Sequence, residues 1–340
     1  MNKKIDKKDH YLDSLNYICS NQLENGMILW DSSGKFDPWD HIEAAMALTV
    51  FDEFEDAKKA YKWLIKNQTP QGGWYSEYKF ELPIDRKQET NFAAYFATGI
   101  WHYYLITEDK VFLEGCLNTL CNSISFIADL QSKHGDILWA LDEYGAPMDD
   151  SLITGCSSIY KSLECAEAIF KTFDMNSKEI SDLKKAIKNS IKNYPMRFDR
   201  TKDRSRYSMD WYYPILCGLY RDKEGQSRLE SKWKDFVVEG LGCKCVEEEP
   251  WVTIAESSEL VMALMNLGEA NLALELFSWL DQWKDKDNVY WTGYVYPDKA
   301  FWPEEKPTWT CGAVILAADS IYKFSKGSEL FLKDWSLLFL

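Results

Sequence analysis

The chain contains little histidine, proline or glycine. Among its 340 residues are 4 His, 10 Pro and 17 Gly, and the Pro and Gly residues are dispersed. Without a Pro-, Gly- or Ser-rich linker, we predict one domain over residues 1–340. Mechanisms that need a pair of histidines are disfavoured, since only His10, His41, His102 and His134 are present.

The chain also lacks an excess of positive charge and a long apolar run. Lys and Arg number 39 against 54 Asp and Glu, a net charge of −15. This balance excludes a nucleic-acid partner and an anionic membrane surface, because nothing basic is available to neutralise phosphates. No run is long enough for a membrane span, and residues 1–8 lack the apolar core of a signal peptide.

Cysteine is present without a disulfide framework. The count of nine is odd, and Cys243 and Cys245 have no histidine-rich segment after them. A reducing compartment fits this pattern, and small apolar packing explains the Cys-x-Cys pair better than metal binding does. We therefore predict a cytoplasmic protein with no metal site and no cofactor.

What is abundant is helical periodicity, and it recurs in pairs. A segment that is apolar nearly all round is followed each time by an amphipathic one, as expected for inner and outer helices. The pairs are 40–54 with 55–68, 91–107 with 109–131, 151–173 with 178–193, 210–220 with 226–239, 254–267 with 269–283, and 309–324 with the C-terminal segment 331–340.

An internal repeat supports this pairing. Residues 43–48 (EAAMAL) match residues 259–264 (ELVMAL) at an offset that also places Trp63-Leu64 on Trp279-Leu280. Six helical hairpins with such echoes predict an all-α fold, a closed (α/α)6 toroid. An open α-solenoid is the alternative, although it would not need an inner helix that is apolar all round in every repeat.

Residues 59–74 carry a further motif. A basic residue, a small one, an aromatic and an aliphatic (Lys59, Ala60, Trp63 and Leu64) are followed by Gln68-x-x-x-Gly72-x-Trp74. This resembles the QW repeat of triterpene cyclases, in which the Gln caps a helix end and the Trp stacks on it. The resemblance implies an α/α toroid, the fold shared by terpenoid cyclases, protein prenyltransferases and six-hairpin glycosidases.

The catalytic motifs of the first two families are missing. The acidic Asp-x-Asp-Asp box of the cyclases has only a near match at residues 285–288, Asp-Lys-Asp-Asn. Cys311 has no Asp or His at the spacing of the prenyltransferase zinc ligands. The resemblance therefore covers the fold and leaves the exact family open.

The segments that lead into the inner helices are rich in Trp, Tyr, Asp and Glu, and in a toroid they all emerge on one face. Carboxylates that face each other across an aromatic cavity suit acid/base chemistry, and aromatic faces stack on sugar rings. Candidate catalytic residues are Asp37, Asp40, Asp210 and Glu256. For Asp40 and Asp210, a purely structural N-cap is the alternative.

Further residues of these segments are candidates for substrate binding. They are Trp39, His41, Glu43, Arg86, Asn91, Asp150, Arg206, Tyr207, Trp211, Tyr212, Trp251, Glu259, Trp291, Tyr294 and Trp309. For the aromatic members, packing in the core is the alternative.

The sequence therefore predicts a carbohydrate-active enzyme, a glycosidase-like hydrolase with carboxylates in a Trp- and Tyr-lined cavity. A terpenoid cyclase- or prenyltransferase-like enzyme acting on an isoprenoid, and a non-catalytic binding toroid, are the alternatives. The predicted partner is a small-molecule substrate: a sugar, a glycoconjugate or an isoprenoid.

Overall fold

The computed structural model describes residues 7–335, and helices dominate it. The thirteen α-helices of this part of the chain are α1 Leu12–Ser20, α2 Pro38–Val50, α3 Phe54–Asn67, α4 Thr90–Thr107, α5 Lys110–Gly115, α6 Leu117–Asp129, α7 Ile153–Thr172, α8 Lys178–Asn193, α9 Ser208–Leu216, α10 Asp222–Phe236, α11 Ile254–Leu267, α12 Ala270–Ser278 and α13 Thr308–Tyr322. None of these helices is both long and apolar enough to cross a membrane.

Six helices form a closed inner ring, in the order α2, α4, α7, α9, α11 and α13. Each contacts the next, and α13 contacts α2. Every residue of α2 is buried, whereas α8 buries one stripe and exposes its lysine-rich face. The predicted all-α toroid of six hairpins is confirmed, while the assignment of residues 1–340 to one domain stays a prediction.

The outer layer corrects one predicted pair. The partner of α13 is the N-terminal helix α1, so the prediction that residues 331–340 take this place is wrong. The described C-terminal residues instead close the lower end of the ring, where Trp335 packs on Trp101 at 5.7 Å and Lys161 Nζ donates to the Lys333 carbonyl at 2.8 Å. Residues 336–340 lie outside the described part.

The QW box ties neighbouring outer helices together. Gln68 Nε2 donates to the Thr119 carbonyl of α6 at 2.9 Å, and Trp74 Nε1 donates to the Leu64 carbonyl of α3 at 2.8 Å. Gly72 has φ +103°, and a Cβ there would lie 2.3 Å from the Asn122 carbonyl oxygen, so only glycine fits.

Ten short strands, which the sequence did not predict, stand where the inner helices begin. They are β1 Lys35–Phe36, β2 Glu77–Lys79, β3 Leu82–Asp85, β4 Gln88–Glu89, β5 Ala140–Leu141, β6 Val237–Val238, β7 Gly242–Lys244, β8 Trp251–Thr253, β9 Gly293–Val295 and β10 Ala300–Phe301.

These strands form three antiparallel sheets, with the orders β1-β2-β3, β4-β5 and β10-β9-β8-β7-β6. Strand β4 runs directly into α4, and β8 runs directly into α11. We call this end of the ring the upper face.

Candidate functional site

Asp37 starts the first inner helix. It is the N-cap of α2 with Pro38 at the first helical position, a pairing that favours a helix start. Its Oδ1 accepts a hydrogen bond from the Asp40 backbone N–H at 2.9 Å, and its Oδ2 accepts one from Trp30 Nε1 at 2.7 Å. Because Asp37 supplies the cap, the side chain of Asp40 is released from that role.

Asp40 is a buried carboxyl beside another carboxyl. Its side chain is 6% exposed, and within residues 7–335 no N–H or O–H group donates to its Oδ2. Burial, the charges of Asp37 and Glu43, and a hydrogen bond between the Asp37 and Asp40 carboxyls raise the pKa of Asp40 well above its usual range. The pKa of Asp40 is raised more than that of Asp37, so Asp40 is the carboxyl of this pair that more readily holds a proton.

Glu43 lies one turn deeper in α2. Its Oε1 accepts from the Tyr95 hydroxyl of α4 at 2.8 Å, and its Oε2 accepts from Trp309 Nε1 of α13 at 2.7 Å. Burial raises the pKa of Glu43 to about 7 in spite of these donors. Both neighbouring inner helices thus hold this carboxyl in place.

Helix α11 contributes Glu256 and Glu259, which share one face at a spacing of three residues. Glu259 Oε2 accepts from the Tyr212 hydroxyl, whereas its buried Oε1 has no donor in the described part of the chain. Burial and the charge of Glu43 raise the pKa of Glu259 well above its usual range. Helices α2 and α11 therefore direct carboxyls toward a shared space.

Glu256 lies nearer the upper face and is 7% exposed. Burial, then the charge of Glu256 and a hydrogen bond with it, raise the pKa of the Cys245 thiol. We call Asp37, Asp40, Glu43, Glu256 and Glu259 the carboxylate row.

Aromatic rings fill the bore beside the carboxylate row. Trp39 of α2 stacks on Tyr95 of α4, with ring centroids 3.9 Å apart and an interplanar angle of 7°. Its ring also lies 5.9 Å from that of Tyr213 on α9, the helix opposite α2 in the ring. Such low-polarity walls explain why burial dominates the pKa shifts of the row.

Asp210 belongs to a different acidic cluster, at the start of α9. Burial raises its pKa to about 6. Burial together with the charges of Asp210 and Asp150 raises the pKa of Asp199 to about 7. Asp150 itself accepts hydrogen bonds from the backbone N–H groups of Ser151 at 2.8 Å and Arg200 at 2.9 Å. The structure thus groups Asp210 with Asp150 and Asp199.

Two of the residues predicted for binding face the outer layer. His41 Nδ1 accepts from the Ile28 N–H at 3.1 Å and Nε2 donates to the Ala60 carbonyl at 3.0 Å, while burial lowers its pKa to about 4. Trp211 Nε1 donates to the Arg228 carbonyl at 2.7 Å. These contacts occupy the polar atoms of both side chains.

The five-stranded sheet brings three predicted aromatic residues to one side of the upper face. The ring centroids are 5.0 Å apart for Trp251 and Trp302, 5.1 Å for Trp291 and Phe301, and 4.4 Å for Tyr294 and Trp283. Trp302 is 56% exposed, so this side offers an aromatic surface to solvent.

The remaining predicted residues lie at separate places on this face. Arg206 forms an ion pair with Glu248, and its guanidinium lies 5.7 Å from the ring of Tyr207. Asn91 sits in the first turn of α4, where its Oδ1 has no donor among the described residues. Arg86 is exposed beside strand β3.

Sequence reasoning missed Tyr95 and Trp30 as partners of the row. Tyr95 looked like core because the segment around it is apolar. A buried Tyr hydroxyl needs a hydrogen-bond partner, so a Tyr on an apolar inner helix was the available signal. Within residues 7–335, no cluster of His, Cys, Asp and Glu is arranged to hold a metal ion.

Comparison with known proteins gives one close relative in sequence. The chain is 40% identical over 314 residues to the MMP endo-(1,4)-3-O-methyl-alpha-D-mannosidase of Mycolicibacterium hassiacum, and the alignment covers 92% of this chain and 86% of the relative. No protein-family profile matches the chain.

Solved structures share the fold at low identity. A wild-type glycosidase superposes with a TM-score of 0.73 at 12% identity, covering 93% of this chain and 96% of that chain. A D-mannose isomerase gives 0.72 at 10% identity, covering 95% and 100%. A sugar epimerase from a ruminal bacterium gives 0.68 at 14% identity, covering 92% and 98%. At such identities the likeness establishes the architecture alone.

Proposed function

The chain belongs to the family of the M. hassiacum endo-mannosidase, and from this premise we propose that it cleaves internal α-mannosidic bonds with Asp40 as acid and Glu256 as base. The predicted activity class, a carbohydrate-active and glycosidase-like hydrolase, is confirmed by this membership. The isoprenoid alternative gains no support from the relatives named above.

The surroundings of Asp40 are the observation on which the proposal rests. A general acid must enter the reaction protonated, and burial, Asp37 and Glu43 all disfavour the charged form of Asp40 and raise its pKa. In the proposed reaction Asp40 donates this proton to the glycosidic oxygen as the bond to the anomeric carbon breaks. Asp37, which bonds to the Asp40 backbone, acts as a positioning residue.

Glu256 is the proposed base because it lies on another inner helix at the same end of the ring. Helix α13 stands between α11 and α2 in the ring, so carboxyls of α2 and α11 reach the bore from two separate helices. Inversion requires a water molecule between acid and base, with their carboxyls roughly 6.5–9.5 Å apart, and we propose that Asp40 and Glu256 meet this requirement. Glu256 takes a proton from that water while the oxygen of the water bonds to the anomeric carbon.

The aromatic residues supply the proposed sugar-binding surfaces. Trp39 and Trp309 lie beside the row. Trp251 and Tyr294 lie on the five-stranded sheet, and Trp291 lies just before its strand β9. Their faces suit the apolar C–H faces of pyranose rings. We propose a (1,4)-linked α-mannose chain that carries methyl ethers as the substrate, after the name of the relative.

Kinetics of single variants test these roles. Asp40→Asn and Glu256→Gln should each lower kcat on such a mannan roughly 10²–10⁴-fold, because each removes one proton transfer. Proton NMR of the wild-type reaction should show the β-anomer first. Full activity of either variant, or an α-anomer as first product, contradicts the proposed mechanism.

Asp319→Asn is the matched control. Asp319 is also a buried inner-helix carboxyl whose pKa burial raises, to about 6, but it lies near the end of α13 and bonds to Ser325. Its substitution should leave kcat unchanged, because this end of α13 is remote from the carboxylate row.

We also propose a cytoplasmic location. All nine cysteines fall within the described residues and all are free thiols, as a reducing compartment permits. Mass spectrometry of protein that is alkylated during cell lysis counts the cysteines that were free thiols, and fewer than nine alkylated cysteines would contradict this location.

A further inference from the structure

Strand β3 exposes apolar side chains that the proposed chemistry leaves unused. Leu82 is 72% exposed and Ile84 is 58% exposed. They are two residues apart on one strand and therefore share a face. We call this pair the aliphatic arm. Contiguous exposed apolar side chains on a protein surface mark an interaction site more often than isolated ones do.

The aliphatic arm borders a groove on the upper face. A cavity of about 450 Å³ lies between residues 83–87 on one side and Asp142, Glu143 and Met148 on the other. Tyr144, 86% exposed, stands on the turn that follows β5. The groove therefore has two walls on the same face.

The groove continues toward the inner ring through Lys87. This side chain bonds to Asp85 at 3.3 Å and to Glu89 at 3.2 Å, and its ammonium lies 4.7 Å from the centre of the Trp139 ring. Trp139 Nε1 in turn donates to Glu89 at 2.8 Å. Glu89 is the residue before α4, so the groove leads to the helix beside α2.

The aromatic side of the upper face lies across the ring from this groove. In the ring order, α4 stands opposite α11, and the Trp251–Trp302 pair stands at the start of α11. A ligand that extends from one side to the other therefore passes over the carboxylate row. An enzyme that cuts inside a chain needs such binding surfaces on both sides of the cleaved bond.

The two sides differ in the chemistry that they can bind. Trp faces stack on bare sugar rings, whereas Leu and Ile have neither a π face nor a polar atom and gain only from contact with apolar groups. Methyl ethers are the apolar groups that a sugar chain can offer in quantity. We propose that the aliphatic arm binds the O-methylated stretch of an extended glycan, an inference that rests on the proposed endo-mannosidase function.

The test compares substrates on a Leu82→Thr/Ile84→Thr double variant, which places β-branched residues of good strand propensity at both positions. On a long O-methylated α-(1,4)-mannan oligomer, kcat/KM should fall roughly tenfold, because apolar contact area is lost. On an unmethylated oligomer of the same length, and on a short oligomer, it should stay the same. The Val111→Thr control, at an 80% exposed site on α5 below the ring, should change none of these values.

Binding separates the failure of this inference from the failure of the proposed function. Asp40→Asn should bind the long methylated oligomer in calorimetry, and adding the two arm substitutions should weaken binding by a similar factor. Binding that depends on the arm without wild-type hydrolysis refutes the function alone. The role of the arm is refuted if the two arm substitutions change neither hydrolysis nor binding of the long methylated oligomer. It is also refuted if kcat/KM falls equally on all three substrates, or if the double variant changes its oligomeric mass.

Discussion

Two acidic regions of the upper face differ in how their carboxyls are paired. Before α7, Asp136 accepts hydrogen bonds from Ser151 at 2.7 Å and from Arg197 at 3.2 Å. These donors and Ser132 hold its pKa below the usual range although burial acts in the opposite direction. In the carboxylate row, by contrast, Asp40 and Glu259 each keep a buried oxygen without a donor in the described residues, and their pKa values are raised.

The difference shows how to separate structural carboxylates from reactive ones. A carboxylate that is surrounded by donors stabilises the folded state as an anion. An apolar bore and neighbouring carboxyls destabilise the anionic form of a carboxyl group. Proteins keep such arrangements chiefly at functional sites. A buried Asp therefore has a lowered pKa in one region and a raised pKa in the other, depending on the groups around it.

The largest expected contrast is in folding stability. Asp136→Ala should lower the free energy of unfolding by about 4 kcal/mol, because it leaves Arg197 and two serines without their partner. Asp40→Asn should leave this energy unchanged or raise it near neutral pH, because Asn is neutral when buried and needs no proton to become so. Urea denaturation measures the free energy of unfolding of both variants. An equal loss in the two variants would mean that the two acidic regions do not differ in this way.

Most of the fold could be predicted because inner and outer helices differ in periodicity. Helices α8 and α11 begin and end where the sequence pattern placed them, at 178–193 and 254–267. Helix α1 was missed because it has nine residues and its partner α13 lies at the other end of the chain. The two helices pair because the ring closes between the two ends of the chain, and local sequence patterns do not show such a contact. The short strands likewise depend on partners from distant lead-in segments.

The site was predictable at the level of residue types and face. Local spacing could not show that Asp37, and not Asp40, is the N-cap of α2, since both residues precede the apolar run. Nor could it place Asp210 beside Asp199, because that neighbourhood depends on the path of the chain before α9. Hydrogen-bond partners such as Tyr95 come from other helices and appear only when the ring is closed.

A second prediction concerns the pH dependence of stability. The pKa of Glu43 is about 7 in the folded protein and lies near 4.5 in the unfolded chain, so between these values only the folded state holds the proton. The free energy of unfolding therefore falls as pH rises through this window. Relative to Glu43→Gln, which stays neutral, the wild type should lose about 2 kcal/mol between about pH 5 and about pH 7.

Denaturation of both proteins across this range measures the difference directly. A Gln side chain can still accept from Trp309 with its carbonyl oxygen and donate to the Tyr95 hydroxyl, so the packing is preserved. A difference that is independent of pH would mean that Glu43 is ionised in both states, like the carboxylates of the structural region.

The smallest expected effect comes from removing a single donor to the row. Tyr95→Phe deletes the 2.8 Å hydrogen bond to Glu43 and keeps the ring that stacks on Trp39. Because this bond lowers the pKa of Glu43, its loss should move the pH-dependent fall in stability to higher pH, by an amount worth about 1 kcal/mol. In a Glu43→Gln background the same substitution should cause no pH shift, since the titrating group is gone. If Tyr95→Phe still shifts the pH dependence in the Glu43→Gln background, another carboxyl of the row is the titrating group. That result would contradict the assignment of Glu43 as the group whose pKa Tyr95 lowers.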